Sequence, residues 1–121
     1  MNKPLLAAVL AISTFAAQAA EPQVISVKLD SFKIIPSQIT VKANQPVTLK
    51  VKNDAWFISH DLVIKAPDAG IDIKVNLAGG ESGEATFTPT KPGSYKMYCD
   101  KKSPGGETHD EKGMHGTLVV E

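Results

Sequence analysis

Beyond its first twenty residues, the chain alternates apolar and polar positions in short β-branched runs broken by Pro, Gly and Asn. A period of two places successive side chains on opposite faces of a strand, so these runs read as half-buried strands. Val24 to Leu29 is the first; Phe32 to Ile35 and Gln38 to Val41 follow, with Pro36 marking a bend or a sheet edge. After the turn at Ala43-Asn44-Gln45, Val47 to Lys52 alternates cleanly. Its lysines, with Lys28, face solvent and blunt edge pairing. His60 to Lys65 and Ile71 to Leu77 are split by Pro67-Asp68-Ala69-Gly70. Glu84 to Thr88, Ser94 to Cys99 and Thr117 to Val120 complete the set. No segment carries a helical stripe of any length. The pattern predicts an all-β fold, a two-sheet Greek-key β-sandwich of seven or eight strands.

The opening residues obey a different rule. Lys3 supplies a positive start, Leu5 to Phe15 an apolar stretch, and Ala17-Gln18-Ala19 a small-x-small cleavage site, with Ala20 as an alternative end. Residues 1–20 are therefore expected to be a cleaved secretory signal peptide, and 21–121 a single domain. The apolar run is too short for a membrane-spanning helix, and no cysteine stands at the cleavage point to carry a lipid anchor. The expected product is periplasmic, exported and soluble, without a membrane span. About a hundred residues suffice for one core and no more. Nothing in the pattern requires more than a monomer.

Charge narrows the partners. The whole chain carries 13 basic and 13 acidic side chains, none of the basic ones arginine. Loss of Lys3 leaves a net charge of about −1. A near-neutral chain without a basic cluster has no electrostatic footprint for nucleic acid.

Candidate chemistry centres on Cys99, the only cysteine. In an oxidising compartment a structural cysteine is normally paired, and this one has no intramolecular mate. It must then be an intermolecular disulfide, a reactive thiol or a metal ligand. The period of two places Tyr95, Met97 and Cys99 on one face, with the sulfur at the inward end of its strand. His109 and Met114 follow in the Gly/Pro-rich segment before the last strand, and His60 lies upstream. A thiolate, two imidazoles and a thioether form the ligand set of a mononuclear electron-transfer copper site. Taken singly, Cys99 could be a small buried hydrophobe and His60 a core histidine; the combination points to the metal. Met97, Tyr95 and Tyr98 read as packing, and Trp56 and Phe57 as core or rim.

The motifs carry a resemblance to the cupredoxin (type 1, blue copper) family. Pro92-Gly93-Ser94-Tyr95-Lys96-Met97-Tyr98-Cys99 resembles the strand bearing the copper cysteine in plastocyanins. His109-x4-Met114-His115-Gly116 resembles the family's His-x4-Met with its Gly-Met-x-Gly ending, and His60-Asp61-Leu62-Val63-Ile64 its first-histidine strand. The strand punctuation matches along essentially the whole mature chain. The resemblance implies one copper ion, Cu(I)/Cu(II), with His60, Cys99 and His109 as equatorial ligands and Met114 as the axial one. It also implies that His109 presents a ring edge near the surface as the electron port. His115 is the alternative axial residue; in an extended segment only one of Met114 and His115 can face the site.

Three departures from the family pattern bear on these expectations. Nine residues separate Cys99 from His109, a long loop that is closer to the type 1 domain of copper nitrite reductases than to small cupredoxins. Asp61 stands where the family usually has Asn, whose amide ties the ligand loops together. A carboxylate cannot donate such a bond unless protonated, so the tie is expected to be absent or reorganised. The loop is also charged, with Lys101, Lys102, Glu107, Asp110, Glu111 and Lys112. Such a rim favours a partner recognised electrostatically and released quickly.

The expected function is a periplasmic electron carrier, not an enzyme, with a transient redox protein partner such as a cytochrome or an oxidoreductase. One cysteine excludes a binuclear copper centre, and three histidines, two already used, exclude a separate three-histidine catalytic copper within one chain. The competing class is a copper or iron handling protein: a metal chaperone, or a resistance or uptake accessory, on a cupredoxin fold. A non-metallated interaction module leaves the ligand set unexplained.

Overall fold

The computed structural model describes residues 22–121, so the expected signal peptide at 1–20 lies outside the described residues. Nine strands run in chain order: β1 (Gln23–Asp30), β2 (Lys33–Ile35), β3 (Gln38–Val41), β4 (Val47–Asn53), β5 (His60–Ala66), β6 (Ile71–Leu77), β7 (Ser82–Phe87), β8 (Gly93–Tyr98) and β9 (His115–Val120). Among the described residues the only helical element is one 3-10 turn, Pro67–Ala69. No helix among them is long and apolar enough to cross a membrane.

The strands form two sheets, ordered β2-β1-β4-β7 and β3-β9-β8-β5-β6. The β1–β4 and β3–β9 pairs are parallel, and each joins strands distant in sequence. The expected two-sheet sandwich is present with nine strands, because the chain changes sheets at Pro36. Proline lacks the N–H a ladder needs, so the ladder stops there. Lys33–Ile35 pairs with β1, whereas Gln38–Val41 pairs with β9.

Val27, Leu29 and Leu49 from one sheet and Leu62, Ile64 and Leu118 from the other are fully or almost fully buried. Their removal from water is the main stabilising term, at about 1.5–3 kcal/mol for each large side chain. β5 breaks the alternation: His60 through Ile64 are all buried, as suits a strand between β6 and β8. The site residues begin this strand, so one end of the core is polar and holds the chemistry.

Candidate metal centre

His60 opens β5 opposite Leu77 of β6, and Cys99 directly follows β8. The period of two buries Met97 and carries the Cys99 sulfur inward, as the sequence predicts; both are fully buried. The remaining donors lie on the segment 100–114.

That segment is long in sequence but short in space. Lys102 and Thr108 form a β-bridge, and Ser103 N–H donates to Glu107 O at 2.7 Å, closing residues 102–108 on themselves. His109 N–H then donates to Lys101 O at 2.8 Å. The extra residues thus leave the loop as a small excursion and return His109 beside Lys101. Met114 N–H donates to His109 O at 3.0 Å, and Cys99 N–H to Met114 O at 3.2 Å. Gly113, at φ +101°, makes the turn into Met114 that an L side chain would strain.

Three donor atoms converge. His60 Nδ1 and His109 Nδ1 are 3.2 Å apart, and Cys99 Sγ lies 3.9 and 3.6 Å from them. A point equidistant from all three is roughly 2.1 Å from each, within the range of metal–nitrogen and metal–sulfur bonds. Two neutral imidazoles directing Nδ1 at each other can share one hydrogen at most, so this arrangement is better satisfied by a cation between them. His60 Nε2, buried without a hydrogen-bond partner, is the nitrogen left to carry the ring hydrogen when Nδ1 is ligated.

Burial distinguishes the two axial candidates. Met114 is fully buried, whereas the side chain of His115 is exposed, as the strand period demands of neighbours. Gly116 has its own reason: a Cβ there would stand 2.3 Å from Ser37 O, where β9 passes the start of β3.

Electrostatics prepares the donors for a metal rather than for protons. Burial and the neighbouring His109 lower His60 to a pKa of about 4, against a smaller opposing effect of Asp30. Burial, with the positive charges of Lys112 and Lys101, lowers His109 as well. Both imidazoles are therefore neutral and free to ligate. Burial pushes the Cys99 thiol up to about 11, despite hydrogen bonds from the backbone of Asp61 and Lys101. Only a bound cation makes the thiolate at neutral pH.

Asp61 keeps the tie in reorganised form, one of the two outcomes expected of it. Its Oδ1 accepts the Asp100 backbone N–H at 2.8 Å, so the strand of His60 and the loop after Cys99 are joined by a bond the carboxylate receives rather than donates. Its own N–H points at Cys99 Sγ, 3.4 Å away. Burial, then the Asp100 carboxylate, raises the Asp61 carboxyl above the usual range. Lys74 supplies the compensating charge, 3.7 Å from Asp61 Oδ2 and 2.9 Å from Asp100 Oδ2.

His109 is only 4% exposed as a residue, so no more than the edge of its ring reaches the surface. Phe32, a residue that the pattern put at the start of a strand, instead occupies the turn before β2 and stands edge-on to both histidines. Its centroid lies 5.1 Å from that of His109 and 6.3 Å from that of His60. No sequence signal marked it, since bulky residues rarely occupy its φ of +58°. Trp56 and Phe57 belong to the rim, at 81% and 98% exposed.

The sandwich and this donor set define a cupredoxin. The chain belongs to the family whose model, the cupredoxin-like domain, matches residues 4–120. Among similar solved structures is the dithionite-reduced auracyanin of the photosynthetic bacterium Roseiflexus castenholzii, with a TM-score of 0.67 and 23% identity over 84% of this chain and 98% of that one. Auracyanin A, a blue copper protein of Chloroflexus aurantiacus, gives 0.65 and 26% over 84% of this chain and all of that one. The copper-containing nitrite reductase of Thermus scotoductus gives 0.63 and 20%, over 84% of this chain but 28% of that one. The cluster of His60, Cys99 and His109, with Met114 buried beside them in the chain, fits a type 1 copper site.

Proposed function

We propose that this protein is an electron carrier in which His60, Cys99, His109 and Met114 would hold one copper ion, and that it acts in the periplasm. The observation that carries the reading is the convergence of two Nδ1 atoms and one Sγ within 3.2–3.9 Å of one another, all nearly or fully buried. Copper bound there supplies a one-electron couple, Cu(II)/Cu(I).

The chain's own residues do the rest. Three backbone bonds tie Cys99, Lys101, His109 and Met114 together, and the Asp61–Asp100 bond ties them to β5. Donors held this way need little movement when the charge of the centre changes. Phe32 packs edge-on against His60 and His109. The converging donors are buried, which supports a carrier over an enzyme that must admit a substrate to the metal. The same burial disfavours the metal-handling reading, which needs exchangeable ligands. The periplasmic assignment rests on the signal-like pattern of residues 1–20. A monomer meeting a redox protein transiently suits the charged loop.

Titration of the mature domain with Cu(II), followed by visible absorption and electron paramagnetic resonance beside Cys99→Ala, tests the reading. An intense thiolate-to-copper band saturating at one equivalent, with a narrow hyperfine splitting and both lost in the variant, is the expected result. Pale, weakly held copper indifferent to Cys99 would overturn it in favour of metal handling.

A further inference from the structure

In β5 the period of two turns His60 and Leu62 to one face of the sheet and Asp61 and Val63 to the other. Asp61 and Val63 are nonetheless fully buried. Lys74 lies beside them on β6, the edge strand of this sheet, directly opposite Val63 and diagonal to Asp61. A lysine stem can lie along such a surface while its ammonium stays in water. Here the ammonium reaches the two acids, 3.7 Å from Asp61 Oδ2 and 2.9 Å from Asp100 Oδ2, with the side chain still 52% exposed.

The two oxygens of Asp61 have different fates. Oδ1 accepts the Asp100 N–H, whereas Oδ2 is buried without a hydrogen bond. Among the described residues, the Lys74 ammonium is the only cation paired with it. A buried carboxylate stripped of its counter-charge does not keep its place cheaply. The N–H of the same residue points at Cys99 Sγ, 3.4 Å away. Hydrogen bonding around the cysteine sulfur is one of the levers on a copper site's potential. A lysine at the surface is therefore two steps from the sulfur: ammonium to Asp61 carboxylate, Asp61 N–H to Cys99.

We propose that Lys74 is a positioning residue for the metal centre, holding the Asp61 and Asp100 carboxylates so that the Asp61 N–H stays on Cys99 Sγ, and thereby setting the preference between Cu(II) and Cu(I). The inference rests on the electron-carrier reading and adds a residue outside the donor set. Other charges near the donors are Lys96 with its partner Asp110, Lys101 and Lys112 near His109, and Asp30, which acts on His60. The loop also carries Lys102, Glu107 and Glu111. All of these are the same in every variant compared, so differences between variants report the substituted residue.

The first test needs no copper. In the metal-free, nitrogen-15-labelled domain, the amide hydrogens of Asp61 and Asp100 should exchange with solvent faster in Lys74→Met than in the parent. Lys74→Arg, which keeps the cation, should restore slow exchange. Equal exchange in all three proteins overturns the proposal.

In the copper-loaded protein, Lys74→Met should favour Cu(II) over Cu(I) by about tenfold, a fall of about 59 mV in the reduction potential of a one-electron couple. Lys74→Arg should keep the parent value. The fall should be smaller when Lys74→Met is made in an Asp61→Asn background, because the carboxylate that Lys74 holds is then absent. An unchanged potential in Lys74→Met overturns the proposal. An equal fall in both backgrounds does so too, since Lys74 would then act as a distant charge and not through Asp61. If the copper titration fails while the exchange result holds, the carrier reading falls and Lys74 remains the residue that holds the two loops. If the type 1 signals are present and Lys74→Met changes neither readout, only this inference falls.

Discussion

Asp61, on β5, meets Asp100, in the loop that follows β8 and Cys99, its carboxylate accepting the Asp100 N–H at 2.8 Å immediately beside the two residues, His60 and Cys99, that the site depends on. The bond does the work of an amide with the opposite polarity available only in the acceptor sense. A buried carboxylate needs compensation, and Lys74 reaches over both acids to provide it. Asp61→Asn keeps an acceptor oxygen for Asp100 and should preserve folding and copper binding. Asp61→Ala leaves the Asp100 N–H without its partner and should cost about 1–3 kcal/mol in urea unfolding of the metal-free domain. Equal stability of the two variants would show that the tie contributes nothing.

Copper binding at pH 7 should release about one proton, because ligation must deprotonate the thiol while both imidazoles are already neutral. Calorimetric titration in buffers of different ionisation enthalpy measures this number directly. A release near zero would mean that Cys99 is already a thiolate or is not a ligand.

Acid should destabilise the metal-free domain before it protonates most carboxylates. The unfolded chain protonates His60 near 6.5 and the folded one near 4. The histidine contribution is thus complete above pH 6.5 and is lost as the pH falls towards 4. The lowered His109 acts in the same direction, whereas the raised Asp61 opposes both, favouring the folded state on the acid side. Urea midpoints across this range should fall with decreasing pH in the parent. The fall should be shallower in His60→Gln.

Met114 and His115 can be separated by a paired substitution. Met114→Leu conserves volume and should cost less than about 1.5 kcal/mol, yet shift the reduction potential and the paramagnetic resonance spectrum of the copper form. His115→Ala, at an exposed position, should leave both unchanged. A spectrum that responds to His115 instead would reverse the assignment.

Gly116→Ala should lower stability by about 1–3 kcal/mol, since its Cβ would stand 2.3 Å from the backbone oxygen of Ser37 and neither chain can yield without parting β3 from β9. Thermal unfolding of the metal-free domain reads this without reference to copper.

The sequence by itself determined the strands, the two-layer class and the donor set. Strand periodicity and residue chemistry are local properties: Met97 and Cys99 had to share a face, and His115 had to oppose Met114. Pro36 announced a break, although not that the strands on either side would join different sheets. That depended on whether Lys33–Ile35 found β1 and Gln38–Val41 found β9. Only the tertiary structure decided how the nine residues after Cys99 fold back on themselves to return His109 beside Lys101. Only it showed that Asp61 ties the ligand loops as an acceptor, and that Phe32 stands edge-on against both His60 and His109. Each of these is a meeting of residues far apart in the chain, and a one-dimensional pattern contains no term for the distance between them.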